Sequence, residues 1–395
     1  MEIEKKLSVN IHNALNWLKN SGIQNNNLKN KKFYGSVNAW FDVDKNKYSF
    51  VYSEINGYFL TMMSYLYTKT NDPIFLKNGI KSADWLINNA LQKNGGYKCL
   101  FLIDKSSKHA FKKNLIYAFD NGIIINGLVN LYKVTKKKKL LKAAENCANW
   151  IIKDCIKKDG GVRPVYEIDE KKFFESDKDW STISGSYHSK IAMGLANLHS
   201  VTKKKVYLQK AIKIADYCLK FQNKKGRFIS FPNKGGTNAH PHCYSAEGLW
   251  AIGVYLSKKK YIYSSQKALA WLLKNQNKNG FIPRLFIDNK PIFHERIDAI
   301  AQTLRLIYFC NNFNLNKIKK KERQINLLQK ILLNNQLEKN KKKKIKGGFV
   351  WGKLSNGEKK IHPNSWVTFF AIQAIILKNE KNQKKLKDFD SFHLV

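Results

Sequence analysis

Acidic, histidine and arginine side chains recur where the apolar helical segments of this sequence begin. The stretch AHPHCYSAEGLWAIGVYL at 239–256 places His240 and His242 in the lead-in to an apolar run that also holds Glu247. A carboxyl group in such surroundings must be paired or have a raised pKa, and both states suit acid or base catalysis. Comparable side chains open five other segments, namely Glu54, Asp120 with Asn121, Tyr187 with His188, Arg296 with Asp298, and His362 with Asn364.

Helix capping competes with catalysis as the role of these polar residues. Capping accounts for Asp120, and an acid in the first turn, such as Asp298, is favourable beside the helix dipole. Capping does not account for histidine, arginine and tyrosine at matching positions. We therefore predict catalytic candidates at Asp120, Tyr187, His188, His242 and Glu247. The predicted substrate-binding candidates are Glu54, Arg163, Arg227, His240, Arg284, Arg296, Asp298, His362, Asn364 and Trp366.

Two kinds of helical segment alternate along the chain and position these residues. Amphipathic segments at 68–87, 134–152, 201–219 and 256–274 share one pattern, and 8–20 and 322–336 fit it more weakly. Glycine-containing connectors then lead to segments that are apolar nearly all round, at 54–67, 120–132, 187–199, 243–256, 296–309 and 364–377. A helix that is apolar on every side is buried, and an amphipathic helix has one solvated face. The repeat therefore predicts an inner ring of helices inside an outer ring.

The predicted fold is all-α, a closed (α/α)6 barrel that forms a single domain over 1–395. Lys-rich loops near 311–322 and 339–346 and a short C-terminal tail complete the chain. If the inner helices are parallel, their polar first turns converge at one end, where free N–H groups favour an anionic ligand. Arg163, Arg227 and Arg284 each follow a connector glycine, and the guanidinium fork suits a carboxylate.

Composition limits the possible partners. The formal net charge is +42, almost all of it from lysine, which attracts polyanions but also fits an AT-rich genome. We find no motif for reading bases, so we expect no nucleic-acid partner. The six cysteines form no CxxC pair, and we predict reduced packing residues, no metal site and no cofactor. The chain shows no signal-peptide core and no membrane-length apolar run, so we expect a cytoplasmic protein.

Several segments resemble known proteins. The six hairpins, glycine connectors and polar first turns resemble the six-hairpin glycosidase superfamily over essentially the whole chain. YAFDNGIIINGLVNLY, SGSYHSKIAMGLANL, AHPHCYSAEGLWAIG, HERIDAIAQTLRL and HPNSWVTFFAIQAI resemble members found with bacterial surface-polysaccharide biosynthesis. INGLVNLY is similar to a helix of the glucuronyl epimerases, and HPHCYSAEGLW to the His-Pro-x-His…Glu segment of the N-acylglucosamine 2-epimerases. The resemblance implies a carbohydrate-active protein.

Three functions stay open at this point. The first is an enzyme acting on an acidic, uronate-containing oligosaccharide or polysaccharide by hydrolysis, elimination or epimerisation. Asp120 and Glu247 would serve hydrolysis. For the other two reactions Tyr187, His188 or His242 would remove the proton alpha to a carboxylate held by Arg163 or Arg296. The second is a 2-epimerase-like sugar isomerase, and the third a non-catalytic glycan-binding assembly factor.

Overall fold

The computed structural model describes residues 9–103, 109–310, 321–354, 356–380 and 390–395. Twelve α-helices lie within these ranges. They are α1 (Val9–Asn20), α2 (Ser53–Thr70), α3 (Pro73–Trp85), α4 (Ala118–Thr135), α5 (Lys138–Trp150), α6 (Ser189–Thr202), α7 (Lys205–Leu219), α8 (Ala239–Tyr255), α9 (Lys259–Lys274), α10 (Ile297–Cys310), α11 (Glu322–Asn334) and α12 (Ser365–Asn379). One turn of π-helix extends α3 over Leu86–Ala90 and α5 over Ile151–Cys155.

The even-numbered helices form the inner ring. Each packs against the next, and α12 returns to α2, which closes the circle. These helices are buried along most of their length; in α8 every residue from 239 to 253 is buried. The odd-numbered helices lie outside, and α1 packs against α12. The predicted all-α, closed (α/α)6 barrel is confirmed.

Glycines allow neighbouring inner helices to touch through their backbones. A Cβ built on Gly127 of α4 would lie 2.4 Å from the carbonyl oxygen of Gly57 in α2. A Cβ on Gly194 of α6 would lie 2.5 Å from the carbonyl oxygen of Gly122 in α4. No side chain fits at these distances, so the two glycines allow α2, α4 and α6 to pack closely against one another.

Short turns connect α2, α4 and α6 to the outer helices that follow them. Asn71, Lys136 and Lys203 end α2, α4 and α6 in the left-handed conformation, with φ between 56° and 60°. In each case the cap N–H donates to a carbonyl four residues earlier. This arrangement stops the helix and reverses the chain.

All the described strands are short, and they lie in the connectors before the inner helices. They are β1 (Phe41–Asp42), β2 (Lys47–Tyr48), β3 (Val51–Tyr52), β4 (Leu100–Phe101), β5 (Leu115–Tyr117), β6 (Val165–Glu167), β7 (Lys172–Phe174), β8 (Thr237–Asn238), β9 (Leu285–Ile287), β10 (Lys290–Ile292), β11 (Val350–Lys353) and β12 (Lys359–Pro363). They pair antiparallel as β1–β2, β3–β4, β5–β6–β7, β8–β9–β10 and β11–β12. These ribbons fix the connectors around one end of the barrel.

Residues 390–395 fill the opposite end of the barrel. The side-chain amides of Asn126 and Asn130 donate to the Phe392 carbonyl at 2.9 and 2.8 Å. Leu394 and Val395 are buried, and the Lys190 ammonium lies 3.4 Å from both of their carbonyl oxygens. This segment belongs to the predicted C-terminal tail; residues 381–389, and most of the predicted 311–322 loop, lie outside the described ranges. Among the described helices, none combines the length and apolarity that a membrane crossing requires.

One detail of α8 differs from the prediction. The helix begins at Ala239, so His240 and His242 lie within it and not in a lead-in loop. The Asn238 side chain caps it by accepting the His240 N–H at 3.0 Å. Pro241 is tolerated because the first turn of a helix leaves its N–H groups without intrahelical partners.

Candidate functional site

Two adjoining cavities open where the inner helices begin, and they share Arg296 and Trp366. The outer chamber has a volume of about 670 Å³ and the inner chamber about 170 Å³. The outer chamber is lined mainly by Trp40, Asp42, Lys45, Lys47, Tyr48, Phe50, Trp351, Lys360, His362 and Asn364. The inner chamber is lined by Tyr52, Glu54, Tyr58, Lys112, Tyr117, Phe119, Asp120, Trp180, Ser181, His240 and Tyr244.

Two carboxyl groups line the inner chamber, each in the first turn of an inner helix. Glu54 of α2 is partly exposed, and Asp120 of α4 is 2% exposed. Burial raises the pKa of Glu54 to about 7, partly offset by the Tyr58 hydroxyl and the Lys112 charge. Burial, and then the Glu54 charge, raise the pKa of Asp120 well above its usual value. Oδ2 of Asp120 has no hydrogen-bond partner among the described residues. Such a pair favours a state in which one proton is shared, which suits acid–base chemistry.

Aromatic rings form the wall and floor of the inner chamber. Tyr58 and Tyr244 stack with centroids 6.4 Å apart and planes inclined by 13°. Phe119 lies 4.8 Å from Tyr244, and Trp180 lies 5.9 Å from His240, edge to face. Rings that carry polar tips can pack on the faces of a sugar and hydrogen-bond its hydroxyls.

Asp298 organises the junction between the chambers. Arg296 donates to it through Nε and Nη2 at 2.9 and 3.1 Å, and Trp366 donates through Nε1 at 3.2 Å. Despite its burial, these positive and hydrogen-bonding groups, Arg296 foremost, hold the pKa of Asp298 well below its usual value. Arg296 and Trp366 are therefore fixed at the mouth of the inner chamber.

His240 is the predicted histidine that lines the inner chamber. Its Nδ1 lies 2.7 Å from Oε1 of Gln302, and burial lowers its pKa to about 4. The neutral ring therefore carries its proton on Nδ1 and offers Nε2 as an acceptor.

The other predicted catalytic residues lie outside both chambers. Tyr187 donates to the Ile183 carbonyl at 2.9 Å. His188 is 1% exposed, and its Nδ1 accepts the Gly185 N–H at 3.4 Å. His242 accepts the Phe228 N–H at Nδ1 and donates from Nε2 to the Ala268 carbonyl, at 3.2 and 3.1 Å. Glu247 is fully buried against Arg305, at 2.6 Å, and Lys190, at 3.4 Å. These contacts show that the four side chains bind other parts of the protein and do not reach either chamber.

The predicted binding residues divide in the same way. Glu54, His240, Arg296, His362, Asn364 and Trp366 line a chamber, and Asp298 supports Arg296. Arg163 donates to the Asp154 carbonyl at 2.8 Å, and Arg284 to the Lys353 carbonyl at 2.7 Å. Arg227 lies over the Phe286 ring at 4.8 Å. The three connector arginines are absent from the described lining of both chambers.

Sequence reasoning missed Lys112, Lys45, Lys47, Lys360 and Gln302. The four lysines lie in connectors and are indistinguishable by type from the many solvated lysines of this chain. Gln302 sits inside the apolar run of α10, and an amide in such a position was the available signal.

Asp42, Asp44 and His362 form a cluster whose potential ligand atoms lie within 4.8 Å of one another. The Nδ1 of His362 accepts the Val43 N–H at 3.1 Å, so the neutral ring carries its proton on Nε2. Nε2 is the nitrogen that faces Asp42 and Asp44, at 3.9 Å from each. A protonated nitrogen cannot ligate a metal, so this geometry fits a histidine–carboxylate contact rather than a cation site.

Comparison with protein families decides the assignment. The sequence pattern of glycosyl hydrolase family 76 matches residues 35–179 and 108–238, which together cover a little over half of the chain. The chain belongs to this family. The predicted membership of the six-hairpin glycosidase superfamily is thereby confirmed, and the protein is carbohydrate-active in the broad sense.

Solved structures agree with the fold. A sugar epimerase from a ruminal bacterium superposes with a TM-score of 0.74 at 10% identity, covering 96% of this chain and 99% of that one. Cellobiose 2-epimerase from Bacillus thermoamylovorans gives 0.72 at 12% identity, with coverage of 92% and 98%. Unsaturated glucuronyl hydrolase from Bacillus sp. GL1 gives 0.66 at 12% identity, with coverage of 94% and 97%. At such identities these likenesses concern the fold alone.

One curated relative matches a shorter region. An uncharacterized protein of Caenorhabditis elegans is 32% identical over 110 residues. The match spans 28% of this chain but only 15% of that protein.

Proposed function

We propose that the protein is a glycoside-cleaving enzyme in which Glu54 and Asp120 act as the general acid and base. Its substrate would be an oligosaccharide or polysaccharide that carries acidic units. The observation that supports this most directly is the carboxyl pair in the inner chamber, with both pKa values raised and no hydrogen-bond partner for Oδ2 of Asp120 among the described residues. The protonated member would give its proton to the glycosidic oxygen, and the ionised member would activate water or stabilise the oxocarbenium-like transition state.

The acidic character of the substrate is supported by the outer chamber. Three lysines, Lys45, Lys47 and Lys360, line it against two aspartates, Asp42 and Asp44, which leaves an excess of one positive charge, and the whole chain carries a formal charge of +42. A strongly basic protein attracts polyanions over long distances, and lysines around the entrance suit carboxylates on a bound glycan. Aromatic side chains, among them Trp40 and Trp351, give this chamber apolar surfaces for sugar rings.

Hydrolysis uses the carboxyl pair directly, whereas the bases predicted for elimination and epimerisation do not line the chambers. Elimination or epimerisation through Tyr187, His188 or His242 would need one of these groups beside the substrate, and all three lie outside the chambers. In contrast, most glycoside hydrolases cleave their substrates with a pair of carboxyl groups, one acting as the acid and the other as the base or nucleophile.

Glu54→Gln and Asp120→Asn test the proposal on acidic oligosaccharides prepared by partial hydrolysis of uronate-containing polysaccharides. Each variant should lose roughly 10²–10⁴-fold in kcat/KM, the usual contribution of a general acid or base. Asp84→Asn is the matched control, because Asp84 pairs with Lys139 on the outer ring. Near-normal activity in either folded chamber variant would sink the assignment. Glycan binding by the wild type without any product would favour the non-catalytic alternative.

A further inference from the structure

The inner chamber is closed on its deep side. The stacked rings of Tyr58 and Tyr244 form its floor, and both side chains are 1% exposed. Below them the Lys190 ammonium lies 6.0 Å from the Tyr244 ring, within the ion pairs of Glu247. The buried residues 391–395 follow beneath. A glycan that enters between Arg296 and Trp366 therefore cannot continue through the barrel.

The volume of the inner chamber matches one sugar unit. The inner chamber has a cavity volume of about 170 Å³. A single pyranose ring displaces about that much solvent, whereas the outer chamber, at about 670 Å³, accommodates several linked units. Because Glu54 and Asp120 line the small chamber, the bond that they reach joins its occupant to the next unit.

The charges of the inner chamber do not favour an anionic occupant. Two cations line it among the described residues, Lys112 and Arg296. Arg296 is held by both oxygens of Asp298, and the Lys112 charge acts on Glu54 and Asp120. With one proton on the carboxyl pair, Lys112 balances the remaining carboxylate as Asp298 balances Arg296, so a sugar carboxylate in this space would find no uncompensated cation.

We propose that the inner chamber takes one uncharged sugar unit from the end of a chain whose acidic units stay in the outer chamber. The protein then works from a chain end and releases single neutral sugars. This inference rests on the proposed function and adds which unit reacts.

Product analysis tests the inference with short oligosaccharides that contain both neutral and uronic units. Mass spectrometry at early times should show neutral monosaccharide and a substrate shortened by one unit. Fragments from mid-chain cleavage, or release of free uronic acid, would overturn the inference while leaving cleavage by Glu54 and Asp120 intact. Absence of any product that depends on Glu54 would remove both proposals.

A variant that fills the inner chamber tests the inference a second time. Ser181 lines the inner chamber and its side chain makes no hydrogen bond among the described contacts, so Ser181→Trp fills the space and Ser181→Ala is the matched control. Ser181→Trp should lose at least about tenfold in kcat/KM for release of the terminal unit, corresponding to about 1.4 kcal/mol. It should still bind the acidic oligosaccharide in the outer chamber, as measured by calorimetry. Equal turnover by the two folded variants would contradict the chamber assignment.

Discussion

Glu247 favours the Nδ1–H tautomer of His240 through one intervening side chain, and Asp298, whose Oδ2 lies 3.4 Å from the same Nδ1, favours it directly. Glu247, paired with Arg305, can only accept hydrogen bonds, so Gln302 must present its NH₂ group, at 3.3 Å. The amide oxygen of Gln302 is then left for His240, which must donate from Nδ1, at 2.7 Å. The glutamate inside the apolar run thus positions a histidine at the chamber without contacting the chamber itself.

Gln302→Met should weaken substrate turnover by releasing His240. A buried hydrogen bond of this kind is worth about 1–3 kcal/mol, and the same free energy added to the activation barrier lowers kcat/KM by roughly 5- to 150-fold. ¹⁵N NMR of the histidine rings should show a mixture of tautomers for His240, assigned with a His240→Gln variant.

The matched control for Gln302→Met is Gln373→Met. Gln373 is equally buried, accepts from Arg305 at 3.2 Å and does not contact His240. This control should lower stability and leave the His240 tautomer unchanged. An unchanged tautomer in Gln302→Met would contradict the positioning role.

Glu247→Gln should destabilise the protein strongly. The substitution leaves the fully buried charges of Arg305 and Lys190 without their anion, and breaking a buried pair in this way costs about 3–5 kcal/mol. Urea unfolding measures the loss. Glu145→Gln is the control, since Glu145 pairs with the exposed Lys204 and should cost no more than about 1 kcal/mol. Similar losses for the two variants would contradict a buried ion network.

His242→Phe should lower stability and leave the chemistry intact. Phe keeps the ring between Phe228 and Trp271 but leaves the Phe228 N–H and the Ala268 carbonyl without the imidazole. We expect a loss of about 1–3 kcal/mol in the free energy of unfolding. The kcat of the folded fraction should match that of the control His12→Phe, whose side chain is exposed on α1. A large fall in kcat alone would instead restore His242 as a catalytic residue.

The fold could be predicted from the sequence because the residues of each inner helix are apolar on nearly every face, which indicates burial without reference to the rest of the chain. NSWVTFFAIQAIIL is apolar on every face, and α12 occupies Ser365–Asn379, close to the predicted 364–377. The end of the barrel that holds the cavities could also be predicted, because polar residues such as Glu54 and Asp120 lie in the first turns of the inner helices.

Which polar side chains reach the cavity could not be predicted, because orientation depends on neighbours distant in sequence. His240 and Tyr244, one turn apart on α8, face the inner chamber. Glu247, on the same helix, turns towards Lys190 of α6 and Arg305 of α10. Only the closed ring brings those two cations to it, and no spacing within α8 indicates this.

Ionisation of Glu54 should contribute to the pH dependence of the free energy of unfolding. Its pKa rises from 4.5 to about 7 on folding, so between these values the native state binds more protons than the unfolded state. The stabilisation is fully present below pH 4.5 and is lost as pH rises through 7. Buried histidines act oppositely: folding lowers the pKa of His242 and His393 from 6.5 to about 4, so their contribution is lost as pH falls below 6.5.

Comparing wild type with Glu54→Gln isolates the carboxyl group, because the histidines are common to both proteins. Glu54→Gln also removes the charge that raises the pKa of Asp120, which changes the slope in the same direction. Urea unfolding from about pH 5 to about pH 8 should therefore show the variant gaining stability relative to wild type as pH rises. Asp84→Asn should show no such trend, since Asp84 forms its ion pair on the outer ring. A constant difference between wild type and Glu54→Gln across this range would mean that Glu54 is solvated as an ordinary surface acid, and the shared-proton pair would have to be abandoned.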